Sequence, residues 1–291
     1  MGIILYGAPL SPFVRKADVL LREKGVEFEL ESVNIMPMPD WFVEISPARR
    51  IPVLRDTDIG KEGPLGTIPD SSAICAYIEK KFPEPNLYPT DPYEHGRAVW
   101  YEEYCDSELA GPIGMGIFRP IQFNRFQGKE PDVAAAKKAY TERLPKPLDY
   151  LEGEIGDGGF LVGDKLSIAD VSLVCQLAQL ALVAGPLDAS RWPKIAGLVE
   201  RLSATDSFTP CLVICKKNRK AGHDRSDGLA TAPPASPRGS PRAHVATHSQ
   251  ARRGTPQRVP LRQLQCRCAV QCFRKSSEPP SSQHHRQRDL A

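Results

Sequence analysis

The N-terminal third alternates short apolar blocks with polar breaks. Ile3-Ile4-Leu5-Tyr6 runs into Gly7, which predicts a buried strand. After Gly7-Ala8-Pro9-Leu10, the pair Ser11-Pro12 predicts an N-cap followed by proline at the first helical position. Phe13, Val14, Ala17, Leu20 and Leu21 continue that helix, which stops at Gly25. Residues 28–33 alternate as a strand, and a short helix is predicted near Asp40 to Ile45. Ile51-Pro52-Val53-Leu54 predicts a strand entered through a proline, which has no N–H for a sheet ladder. Leu65 to Ile68 predicts another strand. Asp70-Ser71 then caps a helix with Ile74, Tyr77, Ile78 and Phe82 on one face.

Pro83 to Pro92 carries four prolines and no hydrophobic period, so it predicts a linker. From Tyr93 to about Lys217 the apolar spacing is helical throughout. Its strongest stretch is Leu166 to Ala178, opened by Ser167 with Asp170 three residues on, a capping-box variant. A helix that apolar belongs at the centre of an all-helical domain.

The 291 residues suffice for two domains, and no apolar run is long and clean enough to span a bilayer. The N-terminus lacks the basic start and apolar core of a signal peptide. Cys75, Cys105, Cys175, Cys211 and Cys215 are scattered without the spacing of a disulfide framework, so a cytoplasmic setting is expected. Charge is uneven. Residues 216–291 hold 16 of the 38 Lys/Arg and 4 of the 35 Asp/Glu, net +12, against net −9 before them. Residues 218–291, rich in Pro, Ser, Arg and Gln, are expected to be a disordered tail because they hold too little apolar area to offset ordering. The change in composition fits a shifted reading frame as well as a real appendage. Cys266, Cys268 and Cys272 match no standard zinc spacing, so no metal is expected. The tail also lacks the interleaved aromatics of a stacking platform, so nucleic acid is not an expected partner.

The predicted order β-α-β-α-β-β-α over residues 1–82 is thioredoxin-like, with a mixed four-strand sheet. It is followed by the linker 83–92 and the all-α domain 93–217. Redox enzymes with this order place cysteine at the first helix start, often as Cys-Pro-x-Cys. Here that stretch is Ser11-Pro12-Phe13-Val14, which argues against protein-thiol redox chemistry there. Taken alone, Ser11 before Pro12 is an ordinary helix cap.

Four segments change that reading. Leu5 to Lys16, Ser46 to Leu54, Pro69 to Ile74 and Gly163 to Asp170 together resemble the glutathione transferase family, in its serine-type, bacterial-like cytosolic form, over about residues 1–217. The first resembles the family's active-site loop, the second its cis-proline loop, the third its γ-glutamyl motif, and the fourth its C-terminal folding motif. Two departures stand out. Asp70 replaces the usual Glu, shortening the reach by one methylene, and the segment from Asp56 to Thr67 is longer and richer in glycine than a simple hairpin.

The resemblance implies that Ser11 activates the glutathione thiol, with Tyr6 as the other early hydroxyl but better suited to the core. It implies that Ile51, before a cis Pro52, pairs by its backbone with the extended tripeptide. Asp70 and Ser71 would meet the γ-glutamyl end, and Arg49 or Arg50 the glycyl carboxylate. Glutathione is then a co-substrate, and no cofactor is implied. A hydrophobic electrophile would lie between the domains, near Tyr101, Tyr104, Ile113, Met115 and Phe118. Asp106 would reach a partner subunit's glutathione in a homodimer of the usual family kind. The implied activity is conjugation of glutathione to a small electrophile. Glutathione-dependent isomerisation or peroxide reduction on the same site, and a noncatalytic interaction or regulatory protein, stay open.

Overall fold

The computed structural model describes residues 2–212. The tail 218–291, its cysteines, Cys215 and the end of the helical domain at Lys217 lie outside the described residues. The chain opens with β1 (Ile3–Tyr6), α1 (Pro12–Glu23), β2 (Phe28–Glu31), α2 (Asp40–Ile45), β3 (Val53–Asp56), β4 (Thr67–Pro69) and α3 (Ser71–Lys81). The sheet order is β2-β1-β3-β4, with β1 parallel to β2 and antiparallel to β3, and β3 antiparallel to β4. This is the thioredoxin-like order expected. β3 begins at Val53 and β4 at Thr67, each two residues later than the apolar runs suggest, because Pro52 cannot donate and Leu65 is exposed.

The register sorts side chains to two faces. Leu5 opposite Leu54 enters the large core with Val14, Ile74 and Ile78, under α1 and α3. Tyr6 opposite Val53 packs with Val33, Phe42 and Ile45 on the other face, under α2. Tyr6 is therefore a core aromatic, its ring edge-on to Trp41 and Phe42.

The long segment between β3 and β4 is built around Arg55. Its buried guanidinium donates to the carbonyls of Gly60, Leu65 and Gly63 at 3.2, 3.1 and 2.8 Å. Glycine is required here: Gly66 has φ +78°, and a Cβ on Gly60 would lie 2.4 Å from the Leu65 carbonyl oxygen.

The helical part comprises α4 (Pro92–Tyr104), wide π-type turns over Cys105–Leu109 and Gly111–Phe123, α5 (Asn124–Phe126), α6 (Val133–Lys138), a π-type segment Ala139–Arg143, α7 (Pro145–Glu154), α8 (Ile168–Ala184) and α9 (Pro193–Ser203). α8 is buried along nearly its whole length and packs on α1 and α4, as its apolar sequence predicts. Its start is closed by Asp170, which accepts from the N–H of Leu161 (2.9 Å), the N–H of Ser167 (2.9 Å) and the hydroxyl of Ser167 (2.9 Å). Burial pushes the Asp170 carboxyl up to about 6 despite those bonds. The stretch between α3 and α4 is fastened by Glu79, which accepts from the N–H groups of Leu87 and Tyr88 and pairs with buried Lys24 at 2.6 Å. Among the described residues no helix is long and apolar enough to cross a membrane. Cys75, Cys105, Cys175 and Cys211 are all buried, and none forms a disulfide.

Candidate functional site

The sheet register gathers three loops. Tyr6 at the end of β1 pairs with Val53, so the loop leading to Ser11 leaves the sheet beside Pro52. Val53 pairs with Pro69, and the Asp70 N–H donates to the Pro52 carbonyl at 3.3 Å. The starts of α1, β3 and α3 thus converge at one end of the sheet.

Ser11 caps α1. Its N–H donates to the Ala8 carbonyl at 2.9 Å, and its Oγ accepts the Val14 N–H at 3.4 Å. Capping uses a lone pair of the hydroxyl oxygen. Among the described residues no acceptor takes the hydroxyl proton, so the cap and a donor to a bound atom coexist in one side chain. The positive end of the dipole of a twelve-residue helix, with the Phe13 N–H that has no partner among the described residues, points to the same place.

The Ile51–Pro52 peptide is cis. The preceding loop is pinned by Ser46, nearly fully buried, whose Oγ donates to the Arg50 carbonyl at 2.7 Å and accepts the Arg50 N–H at 3.1 Å. The side chains of Arg49 and Arg50 are exposed, and among the described residues neither forms an ion pair. Asp70 caps α3 through the N–H groups of Ser72 and Ala73, and its φ of +81° is rare for a residue with a Cβ. Ser71 is buried at the first helical position.

Below this end of the sheet lies a buried charged cluster that local sequence does not reveal. Lys16, 1% exposed, reaches Glu102 at 2.7 Å, Asp106 at 2.5 Å and the Ser72 hydroxyl at 3.0 Å. Tyr88 donates to the second oxygen of Glu102 at 2.9 Å, and Gln176 approaches Asp106 at 3.5 Å. Burial alone would lower the Lys16 pKa; the carboxylate of Asp106, with that of Glu102, holds it well above the usual lysine value. Burial likewise raises the Asp106 carboxyl.

Within this packing Asp106 meets Lys16 of its own chain. Phe118 is 4% exposed and edge-on to Phe123 at 6.1 Å. Tyr101 and Ile113 are buried too, while Met115 is exposed. Tyr104 is half-buried in an aromatic cluster with Tyr150 (4.8 Å between ring centroids) and Trp100 (5.7 Å). A groove of about 300 Å³ lies elsewhere, along Leu87, Pro89, Glu94, Gly163 and Lys165, and includes none of the residues converging at Ser11.

Comparison with known proteins follows the same division of the chain. A family model described as "Glutathione S-transferase, N-terminal domain" matches residues 5–86, and one described as "Glutathione S-transferase, C-terminal domain" matches residues 134–201. A probable cytosolic glutathione S-transferase, DHAR1, from Oryza sativa subsp. japonica is 33% identical over 171 residues; the match covers 58% of this chain and 66% of the rice protein, just under two thirds of its length. The uncharacterized GST-like protein YibF of Escherichia coli K12 is 31% identical over 208 residues, covering 70% of this chain and 95% of YibF. Among solved structures, FzlA from C. crescentus superposes with a TM-score of 0.67 at 25% identity, covering 81% of this chain and 97% of FzlA. A glutathione S-transferase from Methylobacterium radiotolerans, in complex with glutathione sulfonate, gives 0.60 at 26% identity over 73% of this chain and 95% of its own.

Proposed function

Because the chain belongs to the glutathione S-transferase family, we propose that it binds glutathione at the sheet end formed by Ser11, Ile51–Pro52 and Asp70–Ser71 and adds the glutathione sulfur to a small hydrophobic electrophile. The observation that carries this reading is the uncommitted Ser11 hydroxyl proton at the N-terminus of α1.

A free thiol titrates near about 8.5, so little of it is the reactive thiolate at neutral pH. A hydroxyl donating to the sulfur stabilises the charged form, and the positive end of α1 adds to that. Ile51 supports the backbone part of the reading, since no hydrogen bond engages its N–H among the described residues. Buried Ser71 and the exposed N-terminus of α3 suit an α-carboxylate. Arg50 suits the glycyl carboxylate through its exposure alone. Tyr104 stays a candidate for contact with the electrophile. A cytoplasmic homodimer is proposed with this activity.

The test is thioether formation with a chloro-dinitro aromatic and glutathione. A hydrogen bond to a charged group is worth about 1.5–3 kcal/mol, so Ser11→Ala should lower kcat about 10- to 100-fold at neutral pH. In the wild type, kcat should rise with pH through an inflection well below about 8.5, and in Ser11→Ala that inflection should move up toward the free-thiol value. Turnover unaffected by Ser11→Ala would remove the serine mechanism. Glutathione binding with no turnover on aromatic, isomerisable or peroxide substrates would favour the noncatalytic reading.

A further inference from the structure

We infer that Arg15 is the positioning residue for Ser11, and that it ties the Ser11 loop to the central helix of the helical domain. The inference rests on the reading of Ser11 as the thiol-activating hydroxyl.

Arg15 is 1% exposed. Its Nε donates to the Pro9 carbonyl at 3.0 Å and its Nη2 to the Leu10 carbonyl at 3.0 Å, while Nη1 reaches the Cys175 carbonyl of α8 at 3.4 Å. Pro9 and Leu10 are the two residues immediately before Ser11, so one planar fork holds the two successive peptide units that lead into Ser11, the second of which joins its Cα. The Arg15 N–H also donates to the Ser11 carbonyl at 3.1 Å, closing the first turn of α1.

This arrangement is costly as pure packing. Among the described residues no carboxylate pairs with Arg15, so a buried guanidinium is balanced by carbonyl dipoles alone. It also sits in the first turn and a half of α1, where a cation opposes the helix dipole. A hydrocarbon of similar length would fill the space without either cost. What only the guanidinium supplies is a rigid two-point grip on successive carbonyls and a fixed positive charge near the helix start. Both serve an anion bound at Ser11: the grip holds the hydroxyl on the sulfur, and the charge favours the thiolate.

The experiment measures the pH dependence of kcat, and of the ultraviolet thiolate absorbance of bound glutathione, for Arg15→Lys and Arg15→Met, each made in the wild type and in Ser11→Ala. Lysine keeps the charge and loses the fork; methionine keeps the stem. In the wild-type background each variant should raise the thiol inflection by about one unit and lower kcat about tenfold below it, with KM for glutathione little changed. In the Ser11→Ala background the same changes should have less than about a twofold effect, because residues acting as a unit are not additive. Arg15→Met removes a buried charge but leaves the Pro9, Leu10 and Cys175 carbonyls without their donor, so it should fold cooperatively with only a modestly lowered urea midpoint.

Equal effects in both backgrounds, an unmoved inflection, or a methionine variant that fails to fold would each show Arg15 to be structural and overturn the inference. If the wild type holds no thiolate, or Ser11→Ala leaves the inflection in place, the Ser11 reading and this inference fall together. If those controls behave and only the Arg15 variants do not, the inference about Arg15 falls alone.

Discussion

Among the described residues two helices, α1 and α8, have serine as the N-cap, and the two hydroxyls are engaged differently. At the start of α8, Ser167 is 2% exposed, and its N–H and hydroxyl are both taken up by Asp170. At the start of α1, Ser11 is half-buried, accepts one long bond from the Val14 N–H, and among the described residues its hydroxyl donates to no acceptor. One start is saturated and closes a core; the other is left one hydrogen bond short, at the sheet end where three loops meet. Both are N-cap serines, but Asp170 stands three residues after Ser167 where Val14 stands after Ser11, so only the first has a carboxylate to saturate it. Polar groups that are buried and fully satisfied hold structure together, whereas a donor left uncommitted at an open helix end is free to meet a ligand.

The sharpest way to break this contrast is to remove the saturated cap. Asp170→Ala strands two N–H groups and a hydroxyl inside the protein, at about 1–3 kcal/mol each when left unmade, so a loss of about 4 kcal/mol is expected in urea unfolding. A loss below about 1 kcal/mol would mean that α8 starts without this box.

The next largest effect is with pH. The Asp170 carboxyl titrates near 6 in the folded chain and near about 4 when unfolded, so the folded state holds that proton more tightly. Its contribution to stability is therefore fully present below about pH 4 and is lost as pH rises toward 6, by about 3 kcal/mol at most. Asp170→Asn should flatten that part of the stability–pH curve relative to wild type. A curve of unchanged slope between pH 4 and 6 would show that Asp170 titrates normally.

The smallest stability effect belongs to Ser11. Deleting one long cap bond should cost under about 1 kcal/mol, and Ser11→Ala should melt within a few degrees of wild type while losing most of its turnover. A variant that unfolds as readily as Asp170→Ala would erase the distinction between the two starts.

Much of this was legible in sequence because it is written in short-range pattern. Ile3–Tyr6 ending at Gly7, Ser11 before Pro12, Asp70 before Ser71 and the box at Ser167 and Asp170 all act within a turn or a strand. Backbone hydrogen bonding and capping read the same few residues that the eye does. Strand ends were less legible, since the start of β3 depends on which N–H groups find a partner across the sheet.

What the sequence by itself determined is the element order and the capped helix starts, while the cis-proline loop and the three segments that meet at Ser11 came from its resemblance to the glutathione transferase family. Only the tertiary structure decided the rest. Nothing in the local pattern marks Arg15 and Lys16 for burial, yet with α1 packed on α8 both are buried, one on carbonyls and one on the carboxylates of Glu102 and Asp106. Arg55 likewise gives no local sign that it will organise the glycine-rich segment after it. The reason is physical: a buried charge needs partners, and although Pro9 and Leu10 beside Arg15 are local, the carboxylates that hold Lys16 lie 86 and 90 residues away and the α8 carbonyl that Arg15 reaches lies 160 away.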